Sequence, residues 1–295
     1  MTARVLVATD LSPISDEALK QGEAFARLAG ARLGVVHVLP NVQPVNTFFP
    51  QLNVADETNF AELTGKVRSV LEERIRTVTG RDHTTIDIFI DVGLDYAEVI
   101  RRAEEYKASE IVVGSLGKTG LRRALLGSVA EKIVRYAHCP VLVVRPSTAR
   151  GVVVAATDMS DPSLPAIRAG AVEAERRKAK LLVVHAVDFR GASILGEIGS
   201  FFGGAQQAPD VAALSDAART VLQGAMTNLG VTGEVAILDG APSAAVSEYA
   251  EKMGAELVVV GTRGRTGLSR LTLGSVAESI VQHAPCSVLA VRQHV

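Results

Sequence analysis

The chain has 295 residues, of which 47% are hydrophobic and 4% aromatic, and this length favours two domains, since single cores rarely exceed about 250–300 residues. The 31 basic residues nearly balance the 32 acidic ones, which argues against a nucleic-acid partner because such a partner needs a broad basic surface. We find neither a signal peptide nor an apolar run of the roughly 20 residues that span a bilayer, so we expect no membrane association and a cytoplasmic location.

Short β-branched runs alternate with longer stretches of helical period, which predicts βαβ units around a parallel sheet. In the first half, we predict strands at 4–9, 33–38, 85–91, 110–114 and 141–145, and helices at 13–29, 57–79, 95–107 and 128–137. In the second half, we predict strands at 152–157, 181–187, 233–239, 256–260 and 287–292. Each half is therefore predicted to be a doubly wound, Rossmann-like α/β domain with a five-stranded parallel sheet.

The second half of the sequence repeats the first. Residues 4–12 read Arg-Val-Leu-Val-Ala-Thr-Asp-Leu-Ser and recur, 148 positions later, as Val-Val-Val-Ala-Ala-Thr-Asp-Met-Ser. After a one-residue slip that we place near Val92, the offset becomes 147 and matches Gly114 with Gly261. We predict tandem domains at 1–146 and 151–295. We also hypothesise a pseudo-twofold arrangement in which the last strands cover one another, since open apolar edges promote aggregation.

Two helices of each half carry faces that we interpret as core. The first has small residues at four-residue spacing, which allow it to lie close on a sheet; they are Ala18, Gly22 and Ala26, matched by Ala166, Gly170 and Ala174. The second has a face formed by Leu63, Val67, Val70, Leu71 and Val78, matched by Leu214, Ala218, Val221, Leu222 and Leu229. The two cysteines, Cys139 and Cys286, are too few for a disulfide scaffold or a zinc cluster, and we interpret them as small core residues.

A glycine pattern, G-x2-G-x9-G-S, follows the fourth strand of both halves. Its members are Gly114, Gly117, Gly127 and Ser128 in the first half, and Gly261, Gly264, Gly274 and Ser275 in the second. Such glycines can adopt positive φ and let the backbone approach a ligand, while the N-terminus of the following helix favours phosphate. We predict one phosphate-binding loop in each half. The alternative is that the glycines only form turns and the serines only cap helices.

Two familiar nucleotide motifs are absent. Gly117-Lys118-Thr119 resembles the end of a P-loop, but Val112 stands where that motif requires its first glycine. The first strand leads into Thr-Asp-Leu-Ser-Pro, which lacks the glycines of the dinucleotide fingerprint. Asp10 and Asp158 end the first strands and are predicted to face the loops. Each would contact ribose or base donors or a Mg²⁺ ion, or would instead cap the following turn.

With these motifs, the chain resembles the tandem-domain universal stress proteins over nearly all of both halves, and specifically their ATP-binding branch. The resemblance implies a stress-response or signalling module that binds ATP, with Mg²⁺, once per domain. It places adenine near Ala8, Asp10 and Val38, and near Ala156, Asp158 and Ala186, where alanine in place of valine implies a looser pocket. It places phosphates along Gly114, Ser115, Gly117, Lys118, Thr119, Gly120, Gly127, Ser128 and Val129, and along Gly261, Thr262, Gly264, Arg265, Thr266, Gly267, Gly274, Ser275 and Val276.

Several roles stay open at this point. Arg123 and Arg270 recur at matching positions as either phosphate contacts or solvated helix charges. For His37 and His185, we favour a buried, hydrogen-bonded histidine over a catalytic one. The rival function is an ATPase or a nucleotidyl or phosphoryl transferase, which needs a group that activates a nucleophile. Since only the two aspartates recur beside the loops, we favour binding without fast turnover.

The longest irregular segments, 41–56 and 188–210, follow the second strand of each half. Each contains a phenylalanine pair, Phe48-Phe49 and Phe201-Phe202. Long loops in compact domains are often functional. We expect either a lid or a surface for another subunit, as in a homodimer; the alternative is that each pair fills the edge of its own core.

Overall fold

The structure is a computed structural model, and it describes residues 2–13, 15–41, 57–116, 126–188, 211–263 and 273–292. The chain separates into two compact units, Met1–Arg145 and Pro146–Val295. Most of the two long segments with phenylalanine pairs lies outside the described residues, and so does the central part of each glycine motif.

The first unit alternates strands and helices along the chain. Its strands are β1 (Arg4–Ala8), β2 (Arg32–Leu39), β3 (Asp87–Val92), β4 (Glu110–Gly114) and β5 (Val141–Val144). Its described helices are α1 (Asp16–Leu28), α2 (Glu57–Thr79), α3 (Asp95–Tyr106) and α4 (Ser128–Tyr136). A short 3-10 turn, His83–Thr85, precedes β3.

The second unit repeats this order. Its strands are β6 (Val152–Ala156), β7 (Lys180–Val187), β8 (Glu234–Asp239), β9 (Leu257–Gly261) and β10 (Ser287–Val291). Its described helices are α5 (Leu164–Arg177), α6 (Val211–Leu229), α7 (Pro242–Lys252) and α8 (Ser275–His283). A 3-10 turn, Asp161–Ser163, leads into α5.

All five strands of each unit are parallel. The strand order is β3-β2-β1-β4-β5 in the first unit and β8-β7-β6-β9-β10 in the second. This order confirms the prediction of a doubly wound, Rossmann-like sheet in each half. Its direction reverses between β1 and β4, and between β6 and β9, and ligands of such sheets bind outside the carboxyl ends of the strands at this point.

The small residues of the first helix pack against the sheet as predicted. A β-carbon on Gly22 would lie 2.4 Å from Cγ2 of Val7, and one on Gly170 would lie 2.7 Å from Cβ of Ala155. Any side chain at these glycines would therefore push α1 or α5 away from its sheet. The predicted burial of both cysteines is also confirmed, since Cys139 and Cys286 are almost fully buried.

The predicted core face of the second helix is partly wrong. Leu71 and Leu222 are fully buried, but Val70 is 54% exposed and Val221 58% exposed. Leu63 and Leu214 are exposed as well. The buried stripe instead continues one turn further along each helix, at Ile75 and Met226. The reason is the rotation of the helix: at 3.6 residues per turn, neighbouring residues point about 100° apart, so Val70 and Val221 point away from the core when Leu71 and Leu222 face it.

The predicted position of the one-residue slip near Val92 is also wrong. Gly34 pairs with Asp87 in the first sheet, and Leu182 pairs with Glu234 in the second. The offset is thus 148 in the second strands and already 147 at the start of the third strands. The change of offset lies between these strands, where pairing constrains the chain less. None of the helices in the described ranges is long and apolar enough to cross a membrane.

Candidate functional site

The turn after the first strand of each unit is fixed by its own hydrogen bonds. In the first unit, Oδ1 of Asp10 accepts a 3.0 Å bond from the Ser12 amide. In the second, Oδ1 of Asp158 accepts bonds from the amide and the hydroxyl of Ser160. Both aspartates therefore cap the following turn, which was the alternative to a ligand contact, and this role leaves a ligand contact open.

The residue after each aspartate has a left-handed backbone. Leu11 has φ 63° and Met159 has φ 61°, a conformation that is uncommon for residues other than glycine, asparagine and aspartate. Hydroxyls stabilise it, because the amides of Leu11 and Met159 donate to Oγ1 of Thr9 and Thr157. Non-glycine residues held in this conformation cluster at functional sites.

A pair of buried hydroxyls joins this turn to the next helix. Oγ1 of Thr157 lies 2.7 Å from Oγ of Ser163, and that serine hydroxyl donates to the carbonyl of Ser160. Ser163 must then accept from Thr157, because its own proton is already donated. The first unit repeats the arrangement with Thr9 and Ser15 at 2.8 Å.

The first motif glycine allows this turn to pack against the fourth strand. A β-carbon on Gly261 would lie 3.1 Å from Cα of Ser163, and one on Gly114 would lie 3.3 Å from the carbonyl of Leu116. These neighbours are backbone atoms, which cannot rotate away. Any other residue at Gly114 or Gly261 would thus have to displace the main chain by a few tenths of an ångström.

The last motif glycine of each half has an extended backbone and is bonded to the end of the fourth strand. Gly127 has φ −65° and Gly274 has φ −64°. Their amides donate to the carbonyls of Ser115 and Thr262, at 2.8 and 2.9 Å. These two amides are therefore committed within the protein, and the strand end determines where each helix begins.

The helix that follows starts without a side-chain cap. Gly127 and Gly274 are the N-cap residues of α4 and α8, and Ser128 and Ser275 are the first helical residues. The interpretation that these serines cap the helices is therefore wrong. Among the described residues, no side chain caps the first turn, so its amides can bind an anion, which the helix dipole also favours.

In the second unit these elements enclose a cavity of about 210 Å³. The predicted residues that line it are Ala156, Asp158, Ala186, Gly261, Gly274, Ser275 and Val276. Thr262 is predicted as well but is buried and does not line the cavity. Ten predicted residues lie outside the described part of the chain: Gly117, Lys118, Thr119, Gly120, Arg123, Gly264, Arg265, Thr266, Gly267 and Arg270.

Several residues that line the cavity were not predicted from the sequence to belong to the site. Thr157, Ser163 and His185 contribute polar groups, and Arg263 contributes a positive charge. The apolar ones are Pro242, Val246, Val260, Ala277 and Ile280. A signal for Arg263 was available, since it lies inside the G-x2-G motif, whereas the residues of α7 belong to a helix without any motif.

The first unit holds the corresponding residues at the same structural positions. At the first two strands, Ala8 ends β1, Asp10 follows it, and Val38 lies next to the last residue of β2. At the fourth strand, Gly114 ends β4 and Ser115 follows it. The helix α4 is preceded by Gly127 and begins with Ser128 and Val129. Ser115, like Thr262, is buried. Two replacements alter the charge: Leu116 stands where the second unit has Arg263, and Asp95 stands where it has Pro242. The two halves thus share a main-chain frame but differ in charge around it.

An arginine from α2 approaches the first unit's turn. The Arg74 guanidinium makes two hydrogen bonds to the carboxylate of Asp16, at 2.6 and 2.9 Å. This hydrogen bonding, together with the negative charges of Asp16 and Asp10, raises the pKa of Arg74 above its ordinary value. The arginine therefore keeps its positive charge beside the start of α1.

Each unit contains one buried histidine at the end of its second strand. Nδ1 of His37 lies 2.8 Å from the Thr9 carbonyl, and Nδ1 of His185 lies 2.8 Å from the Thr157 carbonyl. This geometry confirms the interpretation of both residues as buried, hydrogen-bonded histidines. The bond links the ends of the first two strands on the side where the cavity lies.

Comparisons with known proteins agree with this architecture. The model of the "Universal stress protein family" matches residues 1–145 and again residues 150–292. Universal stress protein Rv2005c of Mycobacterium tuberculosis is 34% identical over 98% of this chain and 97% of its own length. The crystal structure of a universal stress protein from Archaeoglobus fulgidus covers 98% of this chain and 96% of its own, with a TM-score of 0.64 and 21% identity.

A universal stress protein solved in complex with cAMP is 28% identical and covers 49% of this chain and 98% of its own, with a TM-score of 0.33. The family model, by contrast, accounts for both halves, and the Mycobacterium tuberculosis relative aligns along almost the whole length. The chain therefore belongs to the universal stress protein family, with the family's domain present twice.

Proposed function

We propose that the chain binds ATP, once per domain, and acts as a stress-response or signalling module with slow or no turnover. One observation carries the proposal. The cavity of the second unit joins the carboxyl end of β6 to the uncapped N-terminus of α8, with Arg263 at its lining. Apolar walls and an anion-binding end then occur in a single site, which is the combination that a nucleotide requires.

The walls of the cavity suit a purine base. Ala186, Val246 and Ile280 present apolar surface, on which a flat aromatic ring can be buried favourably. The volume of about 210 Å³ is below the roughly 300 Å³ at which pockets for drug-sized ligands begin. In our proposal the cavity takes the base and ribose, and the phosphates extend to the amides of Ser275, Val276 and Ala277.

Mg²⁺ enters this proposal as a companion of the phosphates. Among the described residues, no cluster of three or more histidine, cysteine, aspartate or glutamate side chains could hold a metal ion. Asp158 is the carboxylate at the cavity. Mg²⁺ usually binds through phosphate oxygens, water and one or two carboxylates, so a single aspartate fits an ion that arrives with ATP.

The proposal of slow turnover is supported by the hydrogen bonds that the polar cavity residues make within the protein. An ATPase or transferase needs a group that activates the attacking nucleophile. The Asp158 carboxylate accepts two bonds from Ser160, and the ring of His185 is bonded to the Thr157 carbonyl. The Asp158 carboxylate is thus engaged in the turn and the His185 ring is held through its Nδ1, and we therefore favour a binding module over an enzyme.

Calorimetric titration of nucleotide-free protein tests the proposal. We expect two ATP per chain, with ATP bound more tightly than ADP, AMP, cAMP or adenosine, because the phosphates contribute to binding. A glutamate at Val276, which is 43% exposed, should remove one site by competing with phosphate. A glutamate also suits a helix N-terminus, so the fold should survive. Val129→Glu should remove the other site.

The matched control is Val172→Glu, because Val172 is 44% exposed on α5 and does not line the cavity. It should leave both sites intact. Native mass spectrometry on the same samples counts nucleotides and subunits together, which also tests a homodimer. Absence of ATP binding, or full binding by the Val129→Glu/Val276→Glu double variant, would contradict the proposal. Phosphate release at a rate typical of enzymes would favour the ATPase instead.

A further inference from the structure

One ring nitrogen of His185, a residue that lines the cavity, has no hydrogen-bond partner among the described residues. The side chain lines the cavity and is only 8% exposed. Its Nδ1 lies 2.8 Å from the carbonyl oxygen of Thr157. A carbonyl can only accept, so Nδ1 carries the proton, and in the neutral ring Nε2 is then an acceptor. Within the described part of the chain, no hydrogen bond to Nε2 is found.

The same arrangement occurs in the first unit. His37 is 6% exposed, and its Nδ1 lies 2.8 Å from the Thr9 carbonyl. The carbonyl therefore sets the same tautomer in both copies. Each unit therefore has an acceptor nitrogen, Nε2, on a histidine that is held in the same way at the end of its second strand.

The hydroxyls of Thr157 and Ser163, which also line the cavity, already bond other groups. In the second unit Thr157 and Ser163 are bonded to each other, and Ser163 donates its proton to the Ser160 carbonyl. The nearby wall is formed by apolar residues such as Ala186 and Val246. Covering a buried acceptor without giving it a donor weakens binding by about tenfold or more. A ligand that fills the cavity must therefore supply a donor or bind more weakly.

We propose that Nε2 of His185, and of His37 in the first unit, accepts a hydrogen bond from an N–H or O–H group of the base or ribose of the bound nucleotide. The histidine thereby makes the site selective for a ligand that carries that donor. This inference rests on the proposed nucleotide binding. An adenine nucleotide offers two sources of such a donor, namely the exocyclic amino group and the ribose hydroxyls.

The test removes each donor from the ligand and the acceptor from the protein. The ligands are ATP, the triphosphate of purine riboside, which lacks the amino group, 2′-deoxy-ATP and 3′-deoxy-ATP. The protein variant is His37→Asn/His185→Asn, since the asparagine amide can still donate to the Thr9 and Thr157 carbonyls but has no atom at the Nε2 position. The control is His37→Gln/His185→Gln, whose longer side chain can return an acceptor to that position.

We expect one of the three analogues to bind the wild-type chain about tenfold more weakly than ATP, as the loss of one buried hydrogen bond requires. In the asparagine variant, ATP should weaken and the difference between ATP and this analogue should fall below twofold. The glutamine variant should recover part of the difference in affinity between ATP and this analogue. The analogue that shows this coupling identifies the donor as the amino group or a ribose hydroxyl.

Equal differences in the wild-type and asparagine proteins, for all three analogues, would overturn the inference while leaving ATP binding intact. A wild-type chain that does not bind ATP would overturn the proposed function as well, so the two failures are distinguishable. A second measurement needs no variant. In chain labelled with ¹⁵N-histidine, the resonances of unprotonated Nε2 should move upfield when ATP is added and should not move with the analogue that lacks the donor. A lack of movement with ATP would count against the inference.

Discussion

Gly261 and Ser163 lie so close together that a β-carbon at position 261 would stand 3.1 Å from Cα of the serine. Ser163 belongs to the turn that follows the first strand of the second unit, and Gly261 ends the fourth. The contact therefore brings together the two strand ends between which the sheet reverses its order. Glycine at this position has a structural function, whether or not a ligand is bound.

Replacement of Gly261 by alanine should lower the free energy of unfolding by about 1–3 kcal/mol, because the backbone of the turn must shift to admit the methyl group. Urea unfolding measures the change. The control is Gly65→Ala, since a β-carbon there meets nothing within 4 Å and alanine is favoured over glycine within a helix by up to about 1 kcal/mol. Equal stability of the two variants would contradict this role of Gly261.

Thr157→Val should also destabilise the second unit. Valine keeps the shape of threonine but removes the hydroxyl that bonds Ser163 and accepts the Met159 amide. The loss of these buried bonds should cost about 1–3 kcal/mol. The same change at Thr220, whose hydroxyl bonds the Asp216 carbonyl on an exposed helix face, should stay within about 0.5 kcal/mol. Similar effects at both positions would contradict the proposed contribution of the buried pair.

Arg263→Leu should weaken ATP binding at the second site about tenfold, because the site loses a charge-assisted contact with phosphate. Adenosine has no phosphate, and its affinity should change less than twofold. The reciprocal variant, Leu116→Arg, should strengthen ATP binding at the first site. The dissociation constants for ATP and adenosine can be measured by titration calorimetry. An equal loss for ATP and adenosine would show that Arg263 supports the loop and does not contact phosphate.

Two neighbouring residues of α6 test the phase of this helix. Leu222 is fully buried, and Leu222→Ala should cost about 2–5 kcal/mol. Val221 is 58% exposed, and Val221→Lys should change stability by no more than about 0.5 kcal/mol. Thermal unfolding of both variants checks the prediction. A large loss for the lysine variant would mean that a partner covers this face in solution.

The sequence predicted the fold well because the main signals are local. The alternation of short β-branched runs with longer stretches of helical period located every strand of the described residues. The duplication supported each assignment, because the same pattern occurs in both halves. Errors arose where one pattern has two structural solutions. In the second helices, apolar residues such as Val70 and Leu71 are neighbours in sequence, and the rotation at which the helix packs on its unit determines which one is buried.

The candidate site was predictable only in part. Residues that follow strand ends, such as Asp158 and Gly261, could be assigned because parallel strands bring their carboxyl ends together. Val246 and Ile280 could not, because they line the cavity from helices whose apolar faces resemble ordinary core. The left-handed backbone of Met159 was equally hidden, since nothing in the residue type signals it.

The bond from the Gly274 amide to the Thr262 carbonyl, and its counterpart from Gly127 to Ser115, joins main-chain atoms only. Substitution of Thr262 or Ser115 by another residue leaves the carbonyl in place. The position at which each helix starts therefore does not depend on which side chains stand at these residues. After the duplication, a neighbouring side chain could change, as at Leu116 and Arg263, while the same main-chain bond continued to place the start of the helix.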